Sequence, residues 1–101
     1  MLLTSSDANT TTKNKLVANT GDGLSISADT DGAFIFGNVA NHNYGNGIES
    51  DNASATFGKN TAHANRLQGI AAPPGVIDLG GNKASKNGDP AQCTAGALAC
   101  S

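Results

Sequence analysis

The chain has 101 residues, of which 38% are hydrophobic, 4% aromatic and 14% charged, with a formal net charge of −2. So short a chain makes one small domain or a piece of a larger one, its low charge argues against a coiled coil or a nucleic-acid binder, and no run approaches the roughly 20 apolar residues of a membrane span. Low hydrophobicity comes here with low charge, 13 glycines and 12 asparagines, which is not the highly charged composition of a disordered chain.

At the N-terminus Met1 is followed by Leu2 and Leu3 and then by the polar run Thr4-Ser5-Ser6-Asp7. A secretory leader needs a basic start and about 7–15 apolar residues, so none is expected in this chain. Residues 1–8 are expected to be disordered or to form part of a first coil.

From residue 9 onward the sequence repeats. Asn14, Asn38, Asn60 and Asn82 are separated by 24, 22 and 22 residues, and Asn19, Asn43, Asn65 and Asn87 keep the same spacings. Gly23, Gly47 and Gly69 follow in step, each before an aliphatic residue: Leu24, Ile48 and Ile70. Leu16, Ala40, Ala62 and Ala84 lie between the paired asparagines, while Ile35, Phe57 and Leu79 precede the first asparagine of a unit. Fixed-period self-similarity of this length marks a solenoid.

Apolar residues two apart, as in Leu24 and Ile26, Ala33 and Ile35, Ala55 and Phe57, and Ile77 and Leu79, follow the alternation of a strand and not the 3.6-residue helical period. Each unit is therefore predicted to be two or three short strands joined by Gly/Asn turns. Every strand would lie on its equivalent in the next coil about 4.8 Å away. The predicted fold is all-β, a single-stranded right-handed parallel β-helix of three to four coils of 22–24 residues. Its expected core columns are Ile35/Phe57/Leu79, Leu24/Ile48/Ile70 and Leu16/Ala40/Ala62/Ala84. An inward asparagine must be paired in a dry interior; stacked on its equivalent, it would donate to the next side-chain oxygen or to a turn carbonyl. The two sets of four asparagines are thus read as structural ladders. Asparagine also tolerates the left-handed backbone of tight corners, and the glycines before Leu24, Ile48 and Ile70 would allow the next corner.

The end of the chain, residues 89–101, is expected to cap the coils of residues 9–88. Cys93 and Cys100 would either close a small disulfide loop or stand as free thiols, and their C-x6-C spacing matches no standard zinc pattern. Asn9-Thr10-Thr11 and Asn52-Ala53-Ser54 fit the glycosylation sequon, a chance event in a chain this rich in Asn and Thr.

Gly37-Asn38-Val39-Ala40-Asn41-His42-Asn43, the run Gly69-Ile70-Ala71-Ala72-Pro73-Pro74-Gly75-Val76, and Asn87-Gly88-Asp89-Pro90-Ala91-Gln92-Cys93 resemble secreted bacterial right-handed parallel β-helix repeat proteins with a pectate-lyase-like solenoid. The resemblance covers roughly residues 9–100 and implies the last three or four coils of such a protein, closed by a Cys-containing cap. It also implies an extracellular or cell-surface location and association with polysaccharide.

No catalytic residue is assigned. The carboxylate sets of related glycosidases and the motifs Asn-Thr-Asp, Gly-His-Gly and Arg-Ile-Lys are not found in the sequence. No resident cofactor or metal is expected. Calcium is the one ion left open, through Asp29, Asp31, Glu49 and Asp51; Asp29-Thr30-Asp31-Gly32 resembles the opening of a calcium loop without its closing glutamate. His42 and His63 are read as surface residues near Lys15, Lys83 and Lys86. One pair stands out as a candidate carbohydrate site: Arg66 aligns with Tyr44 one coil away, where a guanidinium would hold a sugar carboxylate and the ring would stack on the sugar. The six basic residues, spread along the sequence, are not expected to form a nucleic-acid surface. The leading expectation is a non-catalytic β-helix segment that binds polysaccharide or a surface glycan. The alternatives are the end of a polysaccharide lyase or glycoside hydrolase whose catalytic coils lie upstream, and a structural spacer or adhesin stalk. The exposed first coil is expected to promote self-association.

Overall fold

The structure, a computed structural model, describes residues 2–3, 9–89, 91–94 and 98–100; most of the expectation for residues 1–8 lies outside these. Twelve strands follow one another: β1 (Leu2–Leu3), β2 (Thr10–Thr12), β3 (Lys15–Val17), β4 (Leu24–Ile26), β5 (Phe34–Phe36), β6 (Val39–Asn41), β7 (Ile48–Ser50), β8 (Thr56–Gly58), β9 (Thr61–His63), β10 (Ile70–Ala71), β11 (Ile77–Asp78) and β12 (Lys83–Ser85). Every third strand pairs in parallel. The first sheet is β1-β4-β7-β10, the second β2-β5-β8-β11 and the third β3-β6-β9-β12. The chain is thus a parallel β-solenoid of about three turns, with four three-stranded rungs and no helix among the described residues.

The strands are two or three residues long because a corner interrupts the alternation at once. In β4 Leu24 and Ile26 face inward while Ser25 faces outward, and the same in–out–in order recurs in β7. Leu24, Ile48 and Ile70 stack in the core, as do Leu16, Ala40, Ala62 and Ala84. The two additional residues of the first repeat interval lie in the turn Ser27–Gly32: Ile26 pairs with Ser50 and Phe34 with Thr56, so eight positions in one rung match six in the next.

The third expected column fails at its last member. Ile35 and Phe57 are fully buried, but Leu79 is 55% exposed and Ile77 54% exposed. The partner of Phe57 is Asp78, one residue earlier than the 22-residue period puts it. The turn through Pro73-Pro74-Gly75 is one residue shorter than its equivalent, and Gly80, with φ of 88°, adds one at the next corner. The two changes cancel in length while moving every side chain of β11 to the opposite face. Val76, not Ile77, continues the column of Ala33 and Ala55, and Asp78 continues that of Phe57.

Both asparagine sets form ladders. Asn60 Nδ2 donates to Asn82 Oδ1 at 3.1 Å and to the Ile35 carbonyl at 2.9 Å. Its Oδ1 accepts from the Asn38 backbone N–H and Nδ2. Asn65 repeats this with Asn87, Ala40 and Asn43. Each interior asparagine therefore fills two donor and two acceptor sites, which is why an amide is tolerated in a core.

The corner conformation differs from the expectation. At the ladder corners the residue just before each asparagine is left-handed: Lys13, Gly37, Lys59 and Gly81 before the first ladder, and Ala18, His42, Ala64 and Lys86 before the second. The glycine column also has another cause. A Cβ on Gly47 would lie 2.6 Å from the Gly69 carbonyl oxygen and 2.7 Å from Asn65 Nδ2, and Gly23 and Gly69 are equally crowded. These glycines admit the next rung; their φ angles are not left-handed.

Substitutes for a further rung close the C-terminal end. Gln92 Oε1 accepts from the Asn87 backbone N–H and Nδ2 at 2.9 and 2.8 Å, taking the place of the next asparagine. Asp78 Oδ1 accepts from Asn82 Nδ2 at 3.0 Å and so terminates the first ladder. Cys93 bridges to Ile70 in parallel and is disulfide-bonded to Cys100, with Cα atoms 6.2 Å apart, while Leu98 packs on the core. The Asp78 carboxyl is held below its ordinary pKa, chiefly by the Ala99 backbone N–H; burial opposes this, and the Gly80 backbone N–H and the Asn82 side-chain amide lower it further.

Candidate functional site

Stacking sorts the charges. The equivalent stretches 13–20, 37–44, 59–66 and 81–88 contain all 6 basic residues, both histidines and none of the 8 carboxylates. They form the corner between the second and third sheets, the third sheet, and the corner that follows it. The basic residues are therefore spread along the sequence but gathered on one side of the solenoid. Its outward positions are Lys15, Val39, Thr61 and Lys83 in one row and Val17, Asn41, His63 and Ser85 in the next. Lys15 and Lys83 are exposed and stand three rungs apart, about 14 Å at the spacing of paired strands.

At the leading corner of this face a cleft of about 340 Å³ is lined by Lys59, Thr61, Gly81 and Lys83. Gly81 occupies the position of Lys59 one rung on, and a Cβ there would come within 3.0 Å of Lys59 Cγ. The Lys59 ammonium lies 5.9 Å from the centre of the Phe36 ring, a cation–π approach that restrains the head group. The cleft can offer two ammonium groups and a hydroxyl to one anionic group.

Tyr44 and Arg66 lie at the trailing corner. The Tyr44 N–H donates to the Asn19 carbonyl and the Arg66 N–H to the Asn43 carbonyl at 3.0 and 2.9 Å, so the two residues occupy equivalent places on neighbouring rungs. Tyr44 is 65% exposed, and Arg66 is exposed too. His42 sits at that corner with its ring edge-on to His63, centroids 6.4 Å apart, and His63 Nδ1 shares a hydrogen bond with Ser85 Oγ.

The described carboxylates lie outside the basic stretches, and Glu49 and Asp51 lie on or next to the first sheet. Glu49 is the outward residue of β7. Burial raises its pKa; the charges of Asp22 and Asp51 and a hydrogen bond with Asp22 add to this, while Asn46 opposes it. Glu49 and Asp51 line a cleft of about 430 Å³ with Pro73 and Thr94. Asp29 and Asp31 serve the turn: Asp29 accepts from Ser27 Oγ, and Asp31 from Asn52 Nδ2 at 2.7 Å. Among the described residues no group of three or more His, Cys, Asp or Glu is placed to hold a metal ion, so the four carboxylates singled out for calcium do not converge. Asn52, the asparagine of one sequon, is buried with its Nδ2 donating to the Ala28 carbonyl and to Asp31.

Sequence reasoning overlooked two features. One is the Lys59–Lys83 cleft, for which the signal was present: Lys13 and Lys59 both precede a first-ladder asparagine, and Lys15 and Lys83 both follow one. The other is the outer face of the second sheet, where the Phe34 and Phe36 rings stack 5.6 Å apart beside Ile77 and Leu79. The register slip that exposes those last two residues is hidden by the constant period. Comparison with family models, with curated proteins and with solved structures found no match.

Proposed function

We propose that this chain is a non-catalytic segment of a secreted or cell-surface β-helix protein of the pectate-lyase-like kind, and that it binds acidic polysaccharide along the face of its third sheet. The observation that carries this reading is the partition of charge: every basic residue on one side and, among the described residues, every carboxylate outside its stretches. A net charge of −2 would on average repel a polyanion, so attraction depends on the local field of the basic side. The strands cross this face, and its rows of equivalent residues run along the solenoid axis, which suits an extended polymer lying along that axis. Between the lysines lie Val39, Thr61, Asn41 and Ser85, short side chains that leave the backbone of a sugar chain room to approach. The face lacks the rows of aromatic rings on which single-stranded nucleic acid stacks; Tyr44 stands alone at its edge, suited to the face of one pyranose.

The test is affinity electrophoresis of the folded chain through gels containing polygalacturonate, hyaluronan, neutral dextran or single-stranded DNA. Retardation by an acidic polysaccharide, weakened by added salt and absent with dextran, is expected. Unchanged mobility in every gel, or stronger retardation by DNA than by either acidic polysaccharide, would refute the proposal.

A further inference from the structure

Lysine and glycine alternate along the corner before the third sheet: Lys13, Gly37, Lys59 and Gly81 are equivalent residues on successive rungs, and all are left-handed. A glycine next to each lysine leaves space above the neighbouring corner. The nearest atom to a Cβ built on Gly37 is Lys13 Cγ at 3.8 Å, and on Gly81 it is Lys59 Cγ at 3.0 Å. Each corner lysine thus lies along a bare stretch of the next rung. A second lysine stands close by on the sheet in both places, Lys15 beside Lys13 and Lys83 on the rung after Lys59. The result is two cationic seats, one on the first two rungs and one on the last two. The second is the 340 Å³ cleft. Lys13 and Lys59 are two rung steps apart, roughly 10 Å at about 4.8 Å per paired strand.

We propose that the Lys59–Lys83 cleft seats the carboxylate of one uronic acid residue and that Lys13 and Lys15 seat the next carboxylate two sugars along. The ligand is then a glycuronan that carries its charge on every second sugar. This rests on the reading of the basic face as the polysaccharide surface and adds to it the spacing of the charges. The distance between seats is about the span of a disaccharide in an extended chain, so a polymer charged on alternate sugars meets both seats without distortion. A polymer charged on every sugar places an additional carboxylate over Val39, where no ammonium faces it on that rung and its desolvation is uncompensated. Thr61 Oγ1 in the cleft can donate to a carboxylate, and the Phe36 ring fixes the Lys59 head group before the ligand arrives.

The experiment compares hyaluronan, which bears a carboxylate on every second sugar, with polygalacturonate, which bears one on each, in the same affinity gels at equal salt. The full chain and the variants Lys13→Gln, Lys59→Gln and Lys86→Gln are run side by side. Lys86 shares the basic side but belongs to neither seat, so it controls for the loss of one charge. Tighter binding of hyaluronan is expected. Lys13→Gln and Lys59→Gln should each weaken it about fivefold, the scale of one partly screened charge contact, and Lys86→Gln less than half as much. Stronger retardation by polygalacturonate, or equal losses in all three variants, would mean that the face responds to charge density, and the two-seat proposal would fail while the basic-face reading stood. No retardation by either polymer would remove both. Circular dichroism of each variant separates loss of binding from loss of fold.

Discussion

Replacing Asn60 by alanine tests the ladder at its most connected point. The side chain makes four hydrogen bonds: to Asn82 Oδ1, to the Ile35 carbonyl, and from the backbone and side-chain nitrogens of Asn38. Each is worth about 1 kcal/mol net, and a buried donor left without an acceptor costs about 1–3 kcal/mol. The Asn38 backbone N–H is such a donor, because Asn60 Oδ1 is its acceptor at 3.0 Å. Some bonds are shared with groups that keep another partner, so a loss of about 3–4 kcal/mol is expected, a large part of the 5–15 kcal/mol that holds an ordinary domain. Asn14, the first asparagine of the same ladder, makes one side-chain bond among the described residues, Nδ2 to Asn38 Oδ1 at 3.1 Å. Its replacement should cost about 1 kcal/mol. Urea denaturation with the disulfide intact reads both, through a lower midpoint at unchanged slope. Asn60→Asp sharpens the test: a carboxylate can accept from Asn38 but cannot donate to Asn82 or Ile35, so it should be worse than alanine at neutral pH and recover in acid, where the protonated form donates once. Equal losses at positions 14 and 60, or a loss below about 1 kcal/mol at 60, would show that the ladder is not what holds the rungs.

Two further changes probe the packing and the acidic side. Gly47→Ala would drive a Cβ to 2.6 Å from the Gly69 carbonyl oxygen, whereas Gly21→Ala meets nothing within 4 Å; thermal unfolding should fall by more than about 10 °C for the first and by little for the second, given overpacking losses of about 3 kcal/mol. Glu49 has a folded pKa above its ordinary value of 4.5, so the folded state binds its proton more tightly and this group's contribution to stability falls as pH rises from 4.5 through the folded pKa. Glu49→Gln should therefore stabilise the chain at pH 7 by less than about 1 kcal/mol, the range for solvent-screened charges, and have no such benefit at pH 3; a destabilised variant at pH 7 would contradict this assignment.

The fold was legible because a solenoid writes its period into the sequence. The columns from Asn14 and Asn19 to Asn82 and Asn87 need an amide at each rung, and the Gly23 column needs a missing Cβ, so both survive as identities. Leu79 and Ile77 were misplaced for a physical reason. A shorter turn through Pro73-Pro74-Gly75 and a longer corner at Gly80-Gly81 cancel in length, and periodicity registers only the sum. Read at the constant period, Asp78 falls in the outward column of Phe34 and Thr56, where a carboxylate is unremarkable; only the strand pairing puts it in the place of Ile35 and Phe57.

The candidate site was legible in another way. Tyr44 and Arg66 were singled out because their chemistry suits a sugar, and backbone register does place them on adjacent rungs. The lysines lacked any such local signature, since Lys13, Lys15, Lys59 and Lys83 resemble ordinary solvated charges when read along the sequence. Their meaning depends on converting a sequence interval into a distance. In this fold 46 residues separate Lys13 from Lys59, yet the corners lie only two rungs, roughly 10 Å, apart. A parallel solenoid thereby turns a long interval in sequence into a short one on the surface, and a substitution on any rung alters one step of the row that a polymer would meet. Selection for a spaced ligand would act on such a row one rung at a time, while the ladders behind it hold the spacing fixed.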